Sequence, residues 1–151
     1  MLRYQLYEMN GNSIPIEKEI AYLNDYTDLQ RLRRDAQYSV EMLCSPAVKG
    51  FQIEPLLLIP FVENSFKHIS HHKDQRNFIR LQLDLRGNMF YFNLCNSKEA
   101  VEINSSPHPG IGLNNVKRRL ELLYPGKHVL AIEDAGGDFS VTLQLTITKQ
   151  V

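Results

Sequence analysis

Apolar side chains spaced three or four residues apart predict a first helix over residues 15–36. The apolar stripe of this helix consists of Ile16, Ile20, Leu23, Tyr26, Leu29 and Leu32 or Arg33. The charged residues that fall mostly off the stripe are Glu17, Lys18, Glu19, Asp25 and Asp28. Pro15 suits the first turn of a helix, where its missing N–H has no intrahelical acceptor to lose.

The same spacing predicts two further helices. The second covers residues 55–70, and its apolar stripe consists of Leu56, Ile59, Val62, Phe66 and Ile69. Pro60 lies within this range, so we expect a lost backbone hydrogen bond and a kink there. The third covers residues 112–124, with Leu113, Val116, Leu120 and Leu123 facing inward.

Alternating apolar and polar residues predict strands between and after these helices. Residues 38–44 form one strand, and residues 78–96 form a hairpin with its turn at Gly87-Asn88. Residues 128–133 and 139–147 form a final hairpin with its turn at Gly136-Gly137. The pattern predicts an α+β fold, in which a mixed, mostly antiparallel sheet carries helices on one face.

Asn96 stands out within the first hairpin. Strand side chains alternate between the two faces of a sheet, so Asn96 shares a face with Phe90, Phe92 and Leu94. The sequence therefore predicts a polar side chain at a strand end, aimed at the face that the helices cover. A buried Asn needs a hydrogen-bond partner, which could be backbone or the exocyclic amine of a purine.

Composition narrows the classes of protein that this chain can be. Its 151 residues suffice for one domain with a core that needs no disulfide or metal. Lys plus Arg and Asp plus Glu both number 17, which argues against a dedicated nucleic-acid binder. The longest apolar run, residues 56–62, is too short for a membrane span. Cys44 and Cys95 are interpreted as reduced core thiols of a cytosolic protein.

Three polar side chains on the second helix form a first candidate site. Asn64, Lys67 and His68 are spaced i, i+3 and i+4, so they share one helix face. An amide oxygen suits Mg²⁺, while an ammonium and an imidazole can bind phosphate oxygens. The same residues could equally be the polar outer face of an amphipathic helix, and this segment alone leaves both interpretations open.

Two glycines before the third helix form a second candidate site. Gly110 and Gly112 lead into the helix that carries Asn115, and a helix N-terminus offers N–H groups to an anion such as phosphate. Glycines precede helices in most domains, so this pattern alone does not identify a ligand. The chain contains no GxSxG, HExxH, Walker-type or CxxC motif, which excludes the schemes that those motifs support.

Taken in order, these segments resemble a known family. PLLLIPFVENSFKH, residues 55–68, resembles the N box of the LytS-like class of bacterial sensor histidine kinases. GIGLNNVKRRLELLYPGKH, residues 110–128, resembles the second glycine box of that class and the helix after it. IPIEKEIAYLNDYTDLQRLRR, residues 14–34, resembles the linking helix ahead of the ATP-binding domain, so the resemblance covers nearly the whole chain.

The resemblance implies the GHKL, or Bergerat, fold, a two-layer α/β sandwich that holds ATP between helices and sheet under a lid. It implies that Asn64 helps to hold an Mg²⁺ ion bridging the phosphates, with Lys67 and His68 near the phosphates. It puts Glu63 where related ATPases and kinases can have a general base.

The resemblance also implies roles for the lid and the adenine site. Gly110 and Gly112 would form the hinge of the lid and admit the phosphates, with Asn115 at the start of the following helix. Asn96 would occupy the adenine-reading position. The wider fold usually has Asp-x-Gly-x-Gly there, whereas this chain has Asn96-Ser97-Lys98-Glu99-Ala100. An amide oxygen can accept from the adenine amine, but without a charge the hydrogen bond is expected to be weaker.

The resemblance further predicts how the chain is organised. Residues 1–14 would be the tail of an upstream dimerisation region, and residues 15–151 the catalytic domain. None of the five histidines has the Pro-His-Phe-like context of the phosphoacceptor. We therefore expect a fragment that does not autophosphorylate alone. Because the dimerisation helices are not part of this sequence, we also expect the fragment to be a monomer. The intact protein would be a homodimer anchored in the bacterial inner membrane, with this domain in the cytoplasm.

The main functional hypothesis is the ATP-binding domain of a two-component sensor kinase. It would pass the γ-phosphoryl group of Mg·ATP to a histidine elsewhere in the full protein, for relay to a response regulator. One alternative is a non-catalytic interaction domain that kept the fold but lost nucleotide binding, which the altered adenine site motivates. Another is a GHKL protein that hydrolyses ATP or phosphorylates a serine.

Overall fold

The structure, a computed structural model, describes residues 13–33, 38–74, 76–99 and 111–148. Within these ranges the helices are α1 Ile16–Arg33, α2 Ile59–His68 and α3 Ile111–Leu123. The strands are β1 Ile14–Pro15, β2 Ser39–Cys44, β3 Gln52–Ile53, β4 Phe78–Arg86, β5 Met89–Ser97, β6 His128–Asp134 and β7 Asp138–Thr146. The three predicted helices and the five predicted strands are present, with some shifted ends.

Five of the strands form one sheet in the order β2-β4-β5-β7-β6. β2 runs parallel to β4, with Met42 opposite Leu81, and the other neighbouring strands are antiparallel. The predicted mixed, mostly antiparallel sheet is therefore confirmed. The parallel pair is possible because the long segment between β2 and β4 includes α2 and returns the chain to the same edge.

A second, two-stranded sheet was not predicted from the sequence. β1 pairs with β3 in antiparallel fashion, with Ile14 opposite Ile53, and both residues are buried. Two-residue strands are too short to show alternation, so periodicity could not reveal them. Residues 1–12 lie outside the described residues, and the division of the chain at residue 14 stays a prediction.

The helices cover one face of the large sheet. Along β4 and β5 every second residue is buried, as strand alternation requires. Phe61 on α2 packs against Phe92 on β5, with ring centroids 5.7 Å apart. Residues such as Gln82, Asn93 and Gln144 on the opposite face stay exposed or half-buried. The predicted layer of helices on one side of the sheet is therefore confirmed.

The predicted kink at Pro60 is wrong. α2 begins at Ile59 rather than at residue 55, so Pro60 lies in its first turn. The N–H groups of a first helical turn have no intrahelical acceptor, and a proline there costs no helix hydrogen bond. The preceding residues 55–58 form turns instead of helix.

The predicted apolar stripe of α1 is correct only in its first half. Ile16 and Leu23 are fully buried, but Leu29 and Leu32 are 53% and 84% exposed. Glu19, which the pattern placed off the stripe, is buried, and Thr27 is buried as well. α1 lies against the core from Ile16 as far as Thr27, and its buried face includes a carboxylate that has partners in another segment.

Two further sequence expectations are wrong. Leu123 is 44% exposed, and Tyr124, which follows α3, packs against the core instead. Cys44 is exposed and Cys95 is half-buried, so neither is a core thiol, although both are free. Cys44 ends the edge strand β2, where the sheet has no further neighbour to cover it.

The contact between Phe61 and Phe92 yields a stability prediction. Phe92→Ala should lower the free energy of unfolding by about 3–5 kcal/mol, because it leaves a cavity beneath α2. Urea denaturation followed by circular dichroism measures this loss. Asn93→Ala, one residue along the same strand but on the open face, should cost about 1 kcal/mol or less. Equal losses at both positions would contradict the one-sided core.

Candidate functional site

The polar face of α2 carries the candidate residues that the spacing brought together. Asn64 is half-buried, and Glu63, Lys67 and His68 are exposed. The opposite side of the helix is buried in the core, with Ile59, Phe61, Val62, Ser65 and Phe66. The Phe66 ring meets Tyr26 and Tyr38 edge-on, at 5.7 and 6.0 Å between centroids. This packing turns the Asn64 face toward the rim of the sandwich.

Asn96 lies on the covered face of the sheet, as its parity predicted. The side chain is 1% exposed, and its Nδ2 donates to the Ser97 carbonyl at 3.0 Å. Its Oδ1 has no hydrogen-bond partner among the described residues. A carbonyl can only accept, so the Ser97 carbonyl fixes the amide with Nδ2 toward it. The other end of the Asn96 amide is therefore a buried acceptor that still lacks a donor.

A network of hydrogen bonds joins the end of β5 to the segment that follows α2. The Ser70 hydroxyl lies 2.7 Å from the Ser97 hydroxyl and 2.6 Å from Asn77 Oδ1. The Ser70 N–H donates to the Ser97 carbonyl at 3.0 Å, and the Phe78 N–H donates to the Ser97 hydroxyl at 2.8 Å. The C-terminal end of α2 and the strand end that bears Asn96 are therefore held side by side.

Lys98 continues the strand end and adds a positive charge. Its N–H donates to the Gly137 carbonyl at 2.9 Å, and its ammonium lies 2.5 Å from a carboxylate oxygen of Asp134. The hydrogen bond from Lys98 lowers the pKa of Asp134. Burial lowers the pKa of His68, and the charges of Lys67 and Lys98 lower it further. His68 is therefore held toward its neutral form, in which one ring nitrogen can donate and the other accept.

The glycine segment is only partly described. Gly110 lies outside the described residues, whereas Gly112 and Asn115 lie in the exposed first turns of α3. A Cβ added at Gly112 would meet no atom within 4 Å. α3 packs against α2, with Leu113, Val116 and Leu120 buried. The start of α3 therefore belongs to the same helical layer as the Asn64 helix.

The turn that leads into α2 is bound by side chains from the other two helices. The Glu19 carboxylate on α1 accepts from the Leu56 N–H at 2.9 Å and from the Leu58 N–H at 3.1 Å. The Arg119 guanidinium on α3 donates to the Pro55 carbonyl at 2.9 Å and to the Leu56 carbonyl at 3.2 Å. The entry to the Asn64 helix is thus fixed by contacts distant in sequence.

The described part of the chain has neither a membrane-spanning helix nor a cluster of metal ligands. None of its helices is long and apolar enough to cross a membrane. Across the four described ranges, no group of three or more His, Cys, Asp or Glu side chains is arranged to hold a metal ion.

Curated proteins similar in sequence are sensor kinases. The chain is 24% identical over 131 residues to the sensor protein LytS of Bacillus cereus, covering 80% of this chain and 22% of LytS. It is 28% identical over 141 residues to the sensor histidine kinase YpdA of Escherichia coli, covering 87% of this chain and 25% of YpdA. The chain thus spans about a quarter or less of the length of these relatives. The resemblance to LytS-like sensor kinases is confirmed, and no family model matches the chain.

Solved structures decide the fold. The mycobacterial sensor histidine kinase MprB superposes with a TM-score of 0.61 at 14% identity, covering 92% of this chain and 99% of that one. Full-length ShkA in complex with AMPPNP gives a TM-score of 0.65 at 12% identity, covering 92% of this chain and 32% of that one. This chain has the fold of a histidine kinase catalytic domain. The predicted Bergerat sandwich is confirmed.

Sequence reasoning missed two residues that bind the turn before α2, Glu19 and Arg119. Both lie in charged runs that suit a solvated helix surface, and no local pattern marks either as buried or bound. A faint signal existed for Glu19, which lies three residues after Ile16 and four before Leu23, the spacing of a shared helix face. Only the position of residues 54–58 in the folded chain identifies their partners.

Proposed function

We propose that this chain binds Mg·ATP as the catalytic domain of a two-component sensor histidine kinase. It would donate the γ-phosphoryl group to a histidine outside this sequence, and the phosphohistidine would serve an aspartate on a response regulator. The observation that carries the proposal is the buried Asn96 oxygen at the end of β5, which finds no donor among the residues that the structure describes. The sequence similarity to sensor kinases supports the same proposal.

The Asn96 amide suits adenine rather than guanine. Its Oδ1 accepts a hydrogen bond, and its Nδ2 is already engaged by the Ser97 carbonyl. The exocyclic amine of adenine is a donor, whereas guanine presents a carbonyl oxygen at the equivalent position. A guanine there would set one acceptor against another, and a buried acceptor left unpaired costs its full desolvation.

The polar face of α2 suits the phosphates and their metal ion. The half-buried Asn64 amide offers an oxygen ligand of the kind that Mg²⁺ accepts when phosphates supply most of its shell. Lys67 brings a positive charge to this end of the helix, and the His68 ring adds an N–H donor. The Lys98 ammonium, although paired with Asp134, lies close enough to lower the pKa of His68. A bound Mg²⁺ ion would neutralise phosphate charge, and phosphoryl transfer depends mainly on such neutralisation and on positioning.

The remaining site assignments follow from the same proposal. Glu63, exposed beside Asn64 on α2, is assigned the place of a general base. Gly110 and Gly112 are assigned to the hinge of the lid, and Asn115 to the start of the helix after it. The phosphoacceptor and dimerisation domain would belong to the same kinase, and the intact kinase would be a homodimer. The domain would lie in the cytoplasm, below an anchor in the inner membrane.

Asn96 yields a prediction about base selectivity. Asn96→Ala should reduce the preference for AMPPNP over GMPPNP by about tenfold, because the acceptor for the adenine amine is lost. Calorimetric dissociation constants for the two analogues measure the preference. Asn96→Asp is the matched control, since a carboxylate keeps an acceptor oxygen and should keep the preference. An unchanged preference in Asn96→Ala would remove Asn96 from the site.

Asn64 yields a prediction about metal dependence. Asn64→Ala should bind AMPPNP with the same affinity in Mg²⁺ as in excess EDTA, because the protein then lacks its oxygen ligand for the metal. Asn64→Asp keeps an oxygen ligand and should retain the gain in affinity that Mg²⁺ gives the unaltered chain. If Asn64→Ala still shows the full gain, the metal is held elsewhere.

Incubation of the unaltered chain with labelled ATP separates this proposal from its alternatives. The chain should bind nucleotide without labelling itself, because the histidine that accepts the phosphoryl group lies outside this sequence. Stable self-labelling on histidine would contradict the proposal that the phosphoryl group passes to a histidine outside this sequence. No heat of binding at millimolar AMPPNP with Mg²⁺ would favour the non-catalytic interaction domain. Steady phosphate release by the chain alone would favour a GHKL ATPase.

A further inference from the structure

The segment before α2 is a turn with its backbone held on both sides. Leu56 donates its N–H to Glu19 and accepts from Arg119 through its carbonyl. Leu56 also has a φ of 57°, in the left-handed region that L-residues rarely adopt. A strained conformation of this kind persists only where the surrounding contacts impose it. Glu19 and Arg119 supply those contacts.

The start of α2 lacks the caps that a helix usually carries. The N-cap residue is Leu58, which has no side-chain oxygen, and the first turn contains no acidic residue. The Glu19 carboxylate accepts from the Leu58 N–H at 3.1 Å and brings a negative charge to this positive helix end. α2 is therefore capped by a residue that lies 39 positions earlier in the chain.

Glu19 is an unusual choice for a buried position. The residue is 0% exposed, and burial raises the pKa of its carboxyl, although hydrogen bonds from the backbone at residues 56–58 and the charge of Arg119 oppose that effect. A buried acid without partners is strongly unfavourable. An apolar side chain would fill the same space but would leave the Leu56 and Leu58 N–H groups unpaired. The carboxylate thus serves the turn at residues 54–58.

We propose that Glu19 and Arg119 are positioning residues for nucleotide binding. They hold residues 55–58, the entry turn, so that α2 presents Asn64 to the metal–phosphate part of the nucleotide. The inference rests on the proposed function and goes beyond it, since neither residue touches the ligand. Glu19 lies on α1 and Arg119 on α3, so the setting of α2 depends on both helices. Asn96 lies on β5, so adenine selectivity does not depend on the pair.

Two variants test the pair. Glu19→Gln keeps the size of the side chain. Its amide nitrogen, Nε2, can only donate and would face a backbone N–H, so one backbone group loses its acceptor. Arg119→Met keeps the aliphatic stem and removes both donors. Each variant should lower by about tenfold the gain in AMPPNP affinity that Mg²⁺ gives over excess EDTA. The preference for AMPPNP over GMPPNP should stay within about twofold of the unaltered chain, because β5 is not moved.

Val141→Ala is the matched control. Val141 is buried on β7 opposite Leu94 of β5, so its truncation destabilises the fold without removing a hydrogen bond of the entry turn. This variant should keep both the Mg²⁺ gain and the base preference. A Glu19→Gln or Arg119→Met chain that keeps the full Mg²⁺ gain would overturn the positioning role. An equal loss of the Mg²⁺ gain in Val141→Ala would also overturn it, because the effect would then come from general destabilisation of the fold.

A measurement on the unaltered chain tests the same inference without a variant. Coupling between two sites is reciprocal, so saturating Mg·AMPPNP should slow hydrogen exchange at the Leu56 and Leu58 amides by about tenfold. Exchange unchanged by the nucleotide would overturn the inference even if both variants failed to fold. A chain that binds no adenine nucleotide would overturn the proposed function and the inference together. Binding with unchanged exchange would overturn the inference alone.

Discussion

The packing of α2 on β5 is the interaction on which the rest of the structure depends. Phe61 lies on Phe92, so the apolar side of the helix must face the sheet. Asn64 lies three residues further along α2, about 60° round the helix from Phe61, so its half-buried side chain lies at the edge of the buried face, by the rim. Ser70 then binds Ser97, which holds the end of the helix beside the end of the strand. One apolar contact thus sets where the polar residues of both elements meet.

The features that the sequence predicted correctly are those that a local repeat controls. Asn96 was assigned to the covered face from the alternation of Phe90, Phe92 and Leu94, and it is buried there. Asn64 and its neighbours were grouped by helical spacing, and the buried face of α2 lies opposite them. A repeat shows which side of a helix or strand a residue occupies. The sheet, the helical layer on it and the sides that Asn64 and Asn96 occupy could therefore be predicted from the sequence.

The features that the sequence did not predict depend on segments that lie far apart. Glu19 looks solvated within its charged run, and its burial follows only from where residues 56–58 lie. Leu29 looks like a core residue by spacing, yet α1 has left the core at that point. Pro60 was expected to kink the helix because the run of leucines at residues 56–58 does not show where α2 begins. In each case the tertiary partner, and not the local propensity, decides the outcome.

The wider fold has Asp-x-Gly-x-Gly where this chain has Asn96, and the groups around this strand end suit an Asn there. Lys98 stands where the wider fold has a glycine, and its ammonium is paired with Asp134 rather than with the strand end. An aspartate at position 96 would keep an acceptor oxygen for an amine donor but would lose the hydrogen bond that Nδ2 donates to the Ser97 carbonyl. The neutral amide of Asn96 supplies both functions, because its Nδ2 binds the carbonyl and its Oδ1 has no donor among the described residues. In the proposed function, base recognition at this strand end would rely on the orientation of an amide instead of on a charge.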